Sequence, residues 1–318
     1  MTKHQLNEAI NSILDNGDEL STVVYAVIKE TFEVKQLNIV NDEIEFIQNM
    51  FIQSIKNTLI EDEEQVLLNV STADDRGNAF FLYDLDLPEG LSFLNTDLND
   101  RLPTFSFNND ELTDIDSLII EIGTEENQLK LYKKLSPVEI FGRGGYMLWK
   151  SNNQLERFED KILRFTPKFH AIVIVGETVF TDLKLLETSH GFHDVIVREA
   201  NLSVQLIADL DILDETDGIT EMLSSVTFAR KVLKIRNSPV IINNIPNATI
   251  IAFTKSHPAL INKMKYSEDD TKIILRTKKS KELFIKMLDD AYLTSELTNQ
   301  FYESKAKDAV ELEVIEED

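Results

Sequence analysis

The sequence predicts an α+β protein, with mixed or antiparallel sheets and flanking helices. Three observations lead there. Short runs rich in Val, Ile, Phe and Tyr recur through the first two thirds of the chain, the composition of strands. Two of these runs flank the turn cluster Thr124-Glu125-Glu126-Asn127 as a hairpin. Apolar residues at helical spacing open the chain and dominate it after residue 182.

The elements follow in order. Leu6, Ala9, Ile10, Ile13 and Leu14 mark a first helix, which Asn16-Gly17 stops. Thr22–Lys29 and Val34–Ile39 are strands by β-branched content. Asn41 is the expected N-cap of a helix over Asp42–Leu59, with Ile44, Ile47, Phe51, Ile55 and Leu59 on one face. Val66–Val70 and Phe80–Leu85 are strands joined by the turn cluster at 74–78, and the acidic, proline-containing stretch 86–116 reads as loop. Ser117–Gly123 and Gln128–Lys134 form the hairpin. Met147–Trp149, the short Leu155–Phe158 region and Lys161–Phe165 follow, then the apolar strand Phe169–Val175, after which Gly176-Glu177 turns the chain into Val179-Phe180. Helices are expected over Asp182–Ser189, Val195–Leu210, Thr227–Arg236, Pro258–Lys265 and Lys279–Tyr292. Val240–Ile242, Thr249–Phe253 and Lys272–Leu275 read as strands, and the alternation of Val310, Leu312 and Val314 with Glu311 and Glu313 reads as an edge strand.

At 318 residues and 42% apolar content the chain can bury a sizeable core and is not a disordered acidic polymer. A composition shift suggests an acidic N-terminal α+β domain over 1–116 and a second α+β domain over 117–318. Cysteine is absent, which excludes disulfides, thiolate metal sites and cysteine nucleophiles. The N-terminus lacks a signal-peptide pattern, and no apolar run approaches the roughly 20 residues of a membrane span. A cytoplasmic protein is expected, reaching a membrane only through a partner.

A net charge of −24 disfavours nucleic acid if spread evenly, but it is not spread evenly. Residues 1–127 carry 6 basic and 27 acidic side chains, 128–170 carry 9 and 4, 171–229 carry 2 and 11, 230–286 carry 13 and 4, and 287–318 carry 2 and 10. Two stretches therefore gather most of the cations. The first holds Lys133, Lys134, Arg143, Lys150, Arg157, Lys161, Arg164 and Lys168, together with Lys130, interleaved with Tyr132, Phe141, Tyr146 and Trp149 around the turn Gly142–Gly145. Cations, flat rings and glycines are the ingredients of a nucleic-acid groove, although the rings also suit a core.

In the second stretch Arg230, Lys231 and Lys234 share one helix, and Arg276, Lys278, Lys279 and Lys281 surround a helix start. Lysines there oppose the helix dipole, so local stability does not explain them, whereas free amides beside lysines suit a phosphate. Docking of both stretches onto acidic surfaces of the same protein or a sister subunit is the plainer alternative.

Signals for catalysis are weak. Glu33-Val34-Lys35, with Asp18 upstream, matches a nuclease pattern short enough to arise by chance. Ser189-His190-Gly191-Phe192-His193 spaces two imidazoles three apart, which suits a helix end better than a metal site. No phosphate-binding loop or nucleophile elbow appears. No enzyme activity, metal or cofactor is expected.

The run Leu129-Lys130-Leu131-Tyr132-Lys133-Lys134-Leu135-Ser136-Pro137, followed by Leu155-Glu156-Arg157-Phe158, Ile162-Leu163-Arg164-Phe165, Phe169–Val175 and Val179-Phe180, resembles the KwaB proteins of the bacterial Kiwa anti-phage system over about residues 117–290. The resemblance implies a cytoplasmic homodimer that binds double-stranded phage DNA without sequence preference. It also implies a small multi-span partner, KwaA, that recruits the protein to the inner face of the membrane, and no nuclease step. It fixes no DNA-contacting residue, so the lysines and arginines named above rest on charge alone.

Overall fold

The computed structural model describes residues 1–306 apart from 63, 75, 97, 99–100, 137–138, 142–146, 152–153, 159–161 and 189–190, with backbone alone at 141, 147–151, 155–158 and 187–188. It is an α+β fold of largely antiparallel sheets with flanking helices, as the sequence predicts. Two compact units divide the chain. One comprises Met1–Leu68 and Asn78–Gly191, the other Asn69–Gly77 and residues from Phe192 onward. The division expected at 116 is not where the chain divides, because Ile115–Gly123 is hydrogen-bonded into the middle of a sheet.

The first unit is built on eight strands. They are β1 (Ser21–Ile28), β2 (Val34–Gln36), β3 (Val66–Asn69), β4 (Ala79–Leu82), β5 (Ile115–Gly123), β6 (Gln128–Lys134) and, after the short β7 (Ile140–Phe141), β8 (Met147–Ser151), β9 (Gln154–Phe158) and β10 (Ile162–Leu163), β11 (Ala171–Ile174) and β12 (Glu177–Phe180). The sheet order is β2-β1-β5-β6-β11-β12-β4-β3, while β7 pairs with β10 and β8 with β9. Period-two alternation sends Leu118, Ile120 and Ile122 of β5, Leu129 and Leu131 of β6, and Ile172 and Ile174 of β11 into one core. Helix α1 (Lys3–Leu14), started by a Thr2/Gln5 capping box, and α2 (Asn41–Ile55) cover it with Leu6, Ile10, Ile47 and Phe51. The cap of α2 is Val40 rather than the expected Asn41, which is already helical.

Residues 86–116 are not all loop. A 3₁₀ turn over Glu89–Asn95 buries Leu91, Phe93 and Leu94, and the Phe93 ring lies 5.5 Å from that of Tyr132. With Tyr132 fully buried, the ring reads as core, not as a stacking platform.

After α3 (Leu183–Thr188), the second unit is mainly helical. It contains α4 (Phe192–Asp209), α5 (Asp217–Met222), α6 (Val226–Lys234), α7 (Pro239–Ile242), α8 (Asn247–Ser256), α9 (Lys278–Leu288) and the hairpins β13 (Lys265–Tyr266) with β14 (Ile273–Ile274) and β15 (Tyr292–Thr294) with β16 (Phe301–Glu303). Three expectations fail here. Val240–Ile242 and Thr249–Phe253 are helical, because Ser238 caps α7 with Pro239 in its first turn and Pro246 stands at the cap of α8. Pro258–Lys265 is not a helix: 258–263 is turn and Lys265 opens β13; His257 is held extended ahead of Pro258, and Asn262 takes a positive φ of 61°. The alternating segment at 310–314 lies outside the described residues.

Inside this unit His257, 4% exposed, is packed between the rings of Tyr292 and Phe301 at 5.1 and 5.0 Å. The Tyr292 hydroxyl is buried and has no hydrogen-bond partner among the described residues, and burial pushes its pKa up to about 12. An unpaired buried hydroxyl costs about 1–3 kcal/mol. Tyr292→Phe is therefore expected to raise stability by about 1 kcal/mol in urea unfolding, and a loss of similar size would show that the hydroxyl has a partner.

Candidate nucleic-acid interface

Among the described residues of the first basic stretch, some cations are turned to internal partners and others are exposed. Lys133 points inward and is 1% exposed. Its Nζ lies 2.7 Å from Glu139 Oε1 and donates to Thr166 Oγ1 at 2.6 Å and the Lys168 carbonyl at 2.9 Å. Glu139 also accepts from the Ser136 amide, the Ser136 hydroxyl and Thr166 Oγ1. Burial alone would raise the Glu139 carboxyl, but bonds from Lys133, Thr166 and Ser136 outweigh it and hold the pKa at about 2. Lys133 is thus a structural cation that closes β6 against 166–168, and its assignment to DNA contact is corrected.

Next to it, Lys134 is paired with Asp116, and its amide donates to His170 Nδ1 at 3.1 Å. Burial, and then the charges of Lys168 and Lys133, bring His170 down to about 4, so the ring is a neutral acceptor at pH 7. Lys130 reaches the Thr96 carbonyl. Arg164 and Lys168 are exposed. Lys150 and Arg157 sit on the β8–β9 hairpin, opposite Leu155 and Leu148, with their side chains outside the described residues. Arg143, Lys161 and the glycine turn lie wholly outside them.

The second stretch is arranged differently. On α6, Phe228, Ala229, Val232 and Leu233 face inward, and Arg230, Lys231 and Lys234 are half-buried at its edge. Lys234 lies near Asp74, whose carboxyl burial would raise but bonds from Arg76 lower, with Lys234 adding to the lowering. Lys231 converges with Lys278 on a cleft of about 390 Å³ that also presents Glu221 and Glu282. The helix start is capped by Thr277, which accepts from the Ser280 amide, leaving the amides of Lys278 and Lys279 without a partner among the described residues. Lys281 folds back over Gly218 of α5, where a Cβ would meet its side chain, and braces that helix.

Four other cations are paired within the unit: Arg236 with Glu199, Lys255 with Asp270, Lys272 with Asp211 and Lys286 with Glu303. Arg276, Lys278 and Lys279 are exposed and have no carboxylate partner among the described residues. The same is true of Lys263 and Lys265, which the sequence reading left out. The β13–β14 register sets Lys265 opposite Ile274, two residues before Arg276. The turn at Lys263, the β13–β14 hairpin and the approach to α9 thereby carry five cations without a carboxylate partner among the described residues.

The nuclease pattern resolves into an ion pair, with Lys35 bonded to Asp110 at 2.9 Å and 3.5 Å from Glu33. Among the described residues no three His, Asp or Glu side chains converge as a metal site would require, and no helix is long and apolar enough to cross a membrane. His190 lies outside those residues.

The family model described as "Kiwa protein KwaB-like" matches residues 112–298. The chain belongs to the KwaB family. Its similarity extends along almost the full length, at 28% identity over 317 residues to "Kiwa protein KwaB" of Escherichia coli O55:H7 (strain RM12579 / EPEC), covering 98% of this chain and 100% of the relative. No solved structure matches. Membership gives the chain a role in Kiwa anti-phage defence. The matched region contains both basic stretches.

Two outcomes test this description. Lys133→Met strands a buried carboxylate and is expected to cost about 3–5 kcal/mol in urea unfolding; a loss below 1 kcal/mol would contradict the buried pair. His170 keeps a folded pKa near 4 against 6.5 for a free imidazole, so on acidification the unfolded chain takes up a proton first. Stability is fully present above pH 6.5 and declines toward pH 4, with Glu139 adding a loss of the same sign between 4.5 and about 2. His170→Asn keeps the acceptor without the titration, so its unfolding midpoint should fall less over pH 6.5–4. Parallel profiles would sink the assignment.

Proposed function

We propose that the chain is the DNA-binding component of its defence system and acts by binding double-stranded DNA through the phosphate backbone, without base recognition and without a nuclease step. The observation that carries this is the group of exposed cations at Arg276, Lys278 and Lys279, with Lys265 on the adjoining hairpin and Lys263 in the turn before it, none with a carboxylate partner among the described residues of a chain of net charge −24. Among the described residues no carboxylate pairs with these cations, whereas Lys255, Lys272 and Lys286 nearby are ion-paired. The capped helix start adds two free amides and the positive end of its dipole. Non-specific binding of this kind releases counterions, so affinity falls steeply as salt rises.

The protein works as a cytoplasmic homodimer beside a KwaA-like membrane protein, which supplies the membrane span and brings the complex to the inner face. The acidic remainder of the chain repels DNA and confines contact to the basic surface.

Binding of a random-sequence duplex at low salt is the test. Arg276→Glu/Lys278→Glu/Lys279→Glu is expected to weaken it at least tenfold, with folding unchanged by circular dichroism. Unchanged affinity overturns the assignment. Nicking of a plasmid with Mg²⁺ or Mn²⁺ would favour a nuclease instead, and a salt-sensitive dimer that ignores DNA would favour an assembly adaptor.

A further inference from the structure

The first unit carries an apolar surface that its own fold leaves uncovered. Phe46 of α2 and Phe107 are 67% and 60% exposed, and with Ile39, Leu112, Leu163 and Phe165 they line an open groove of about 520 Å³. Contiguous exposed apolar side chains of this kind mark interaction surfaces. Phe107 is held in place rather than loose. Its ring packs T-shaped on that of buried Phe105 at 5.2 Å, and the Asn109 and Asp110 amides close its turn by donating to the Ser106 carbonyl. The Asp110 carboxylate accepts from the Ser106 amide and pairs with Lys35 of β2, which ties the turn to the sheet. Val40 beside the groove is 69% exposed and stands at the N-cap of α2 without a side-chain bond, where Ser, Thr, Asp or Asn would steady the helix. Local stability does not explain an apolar residue there, whereas a contact from outside the chain would use it.

Charge selects the occupant. Glu43 lines the groove, Asp42 and Glu45 flank it, and all three are exposed with no cation partner among the described residues. Carboxylates in a first helical turn also favour the helix dipole, so alone they say little; beside the two phenylalanines they discriminate. A two-fold contact between copies would bring both sets of carboxylates to one interface, and an anionic lipid surface would meet them in a chain of net charge −24. A protein helix with apolar residues at i, i+3 or i+4 and i+7, and cations beside them, fits both features. We propose that this groove docks a short amphipathic segment of a partner protein, with Phe46 and Phe107 as its apolar anchors and Asp42, Glu43 and Glu45 meeting its Lys or Arg side chains. The docking stands on the groove and its rim. That the segment belongs to the membrane partner, whose spans would carry such cations at their cytoplasmic ends, rests on the function proposed above.

Fluorescence anisotropy of a labelled synthetic Leu/Lys amphipathic helix, added to the full chain, reads the docking. This peptide is expected to bind and its Leu/Glu counterpart is not. Phe46→Ser/Phe107→Ser is expected to weaken binding about tenfold or more. Asp42→Asn/Glu43→Gln/Glu45→Gln, which leaves both rings in place, is expected to weaken it severalfold and flatten its salt dependence. Val175→Ser/Leu297→Ser changes two apolar residues that are more exposed still and should leave binding unchanged. Absent binding, or binding that ignores the phenylalanines in a variant folded by circular dichroism, overturns the site. A fall in solution mass on Phe46→Ser/Phe107→Ser would show that the face joins copies of the chain, and a phenylalanine-dependent affinity for phosphatidylglycerol vesicles would make the occupant lipid; either overturns the proposal. Duplex binding by the same variant is expected to be unchanged. Groove-dependent peptide binding in a protein that binds no duplex upholds the docking and overturns the DNA reading instead.

Discussion

A lysine in a chain with 56 carboxylates and 32 cations meets an acidic partner unless the backbone holds it away from one. That constraint sorts the basic residues of this protein. Lys133 is drawn inside to Glu139, Lys134 to Asp116, Lys272 to Asp211 and Lys286 to Glu303. Among the described residues, the β13–β14 hairpin and the start of α9 hold exposed cations without a carboxylate partner, as do Arg164 and Lys168 in the other unit. Thr277 and Ser280 use their hydroxyls on the helix cap, so that helix start needs no acidic side chain. Local stability has been secured without a carboxylate where one would ordinarily sit, and the positive surface survives.

The Lys133–Glu139 pair shows the opposite use of charge. Desolvating both groups is costly, and the pair persists because Ser136, Thr166 and the Lys168 carbonyl satisfy the remaining valences. Its value is in register. It ties the end of β6 to the chain entering β11, next to the neutral His170 that accepts from the Lys134 amide. The strand that continues the large sheet therefore begins from a fixed point.

Most of the sheet was legible in the sequence, since β1, β5, β6, β11 and β12 follow β-branched content and alternation, and α1, α4 and α9 follow their apolar stripes. Val240–Ile242 and Thr249–Phe253 misled because β-branched composition was weighed above the prolines that begin each helix. The division of the chain was illegible because charge shifts near 116 while the strands on either side pair. For the interface, composition located the α9 start but could not tell Lys133 from Lys278, since burial of a cation depends on a carboxylate from elsewhere in the fold. Lys263 and Lys265 fall in a segment whose composition suits a helix, and the hairpin is signalled only by the acidic turn at 268–270 between Lys265-Tyr266 and Ile273-Ile274.

The central claim is that cations free of internal partners, and not basic composition as such, mark the surface that meets the phosphate backbone. Lysine acetylation footprinting with and without a saturating duplex tests it most directly. Protection of Lys263, Lys265, Lys278 and Lys279, with Lys255 and Lys286 unchanged, is the predicted result. Protection confined to other lysines, or spread evenly over paired and unpaired ones, would contradict it.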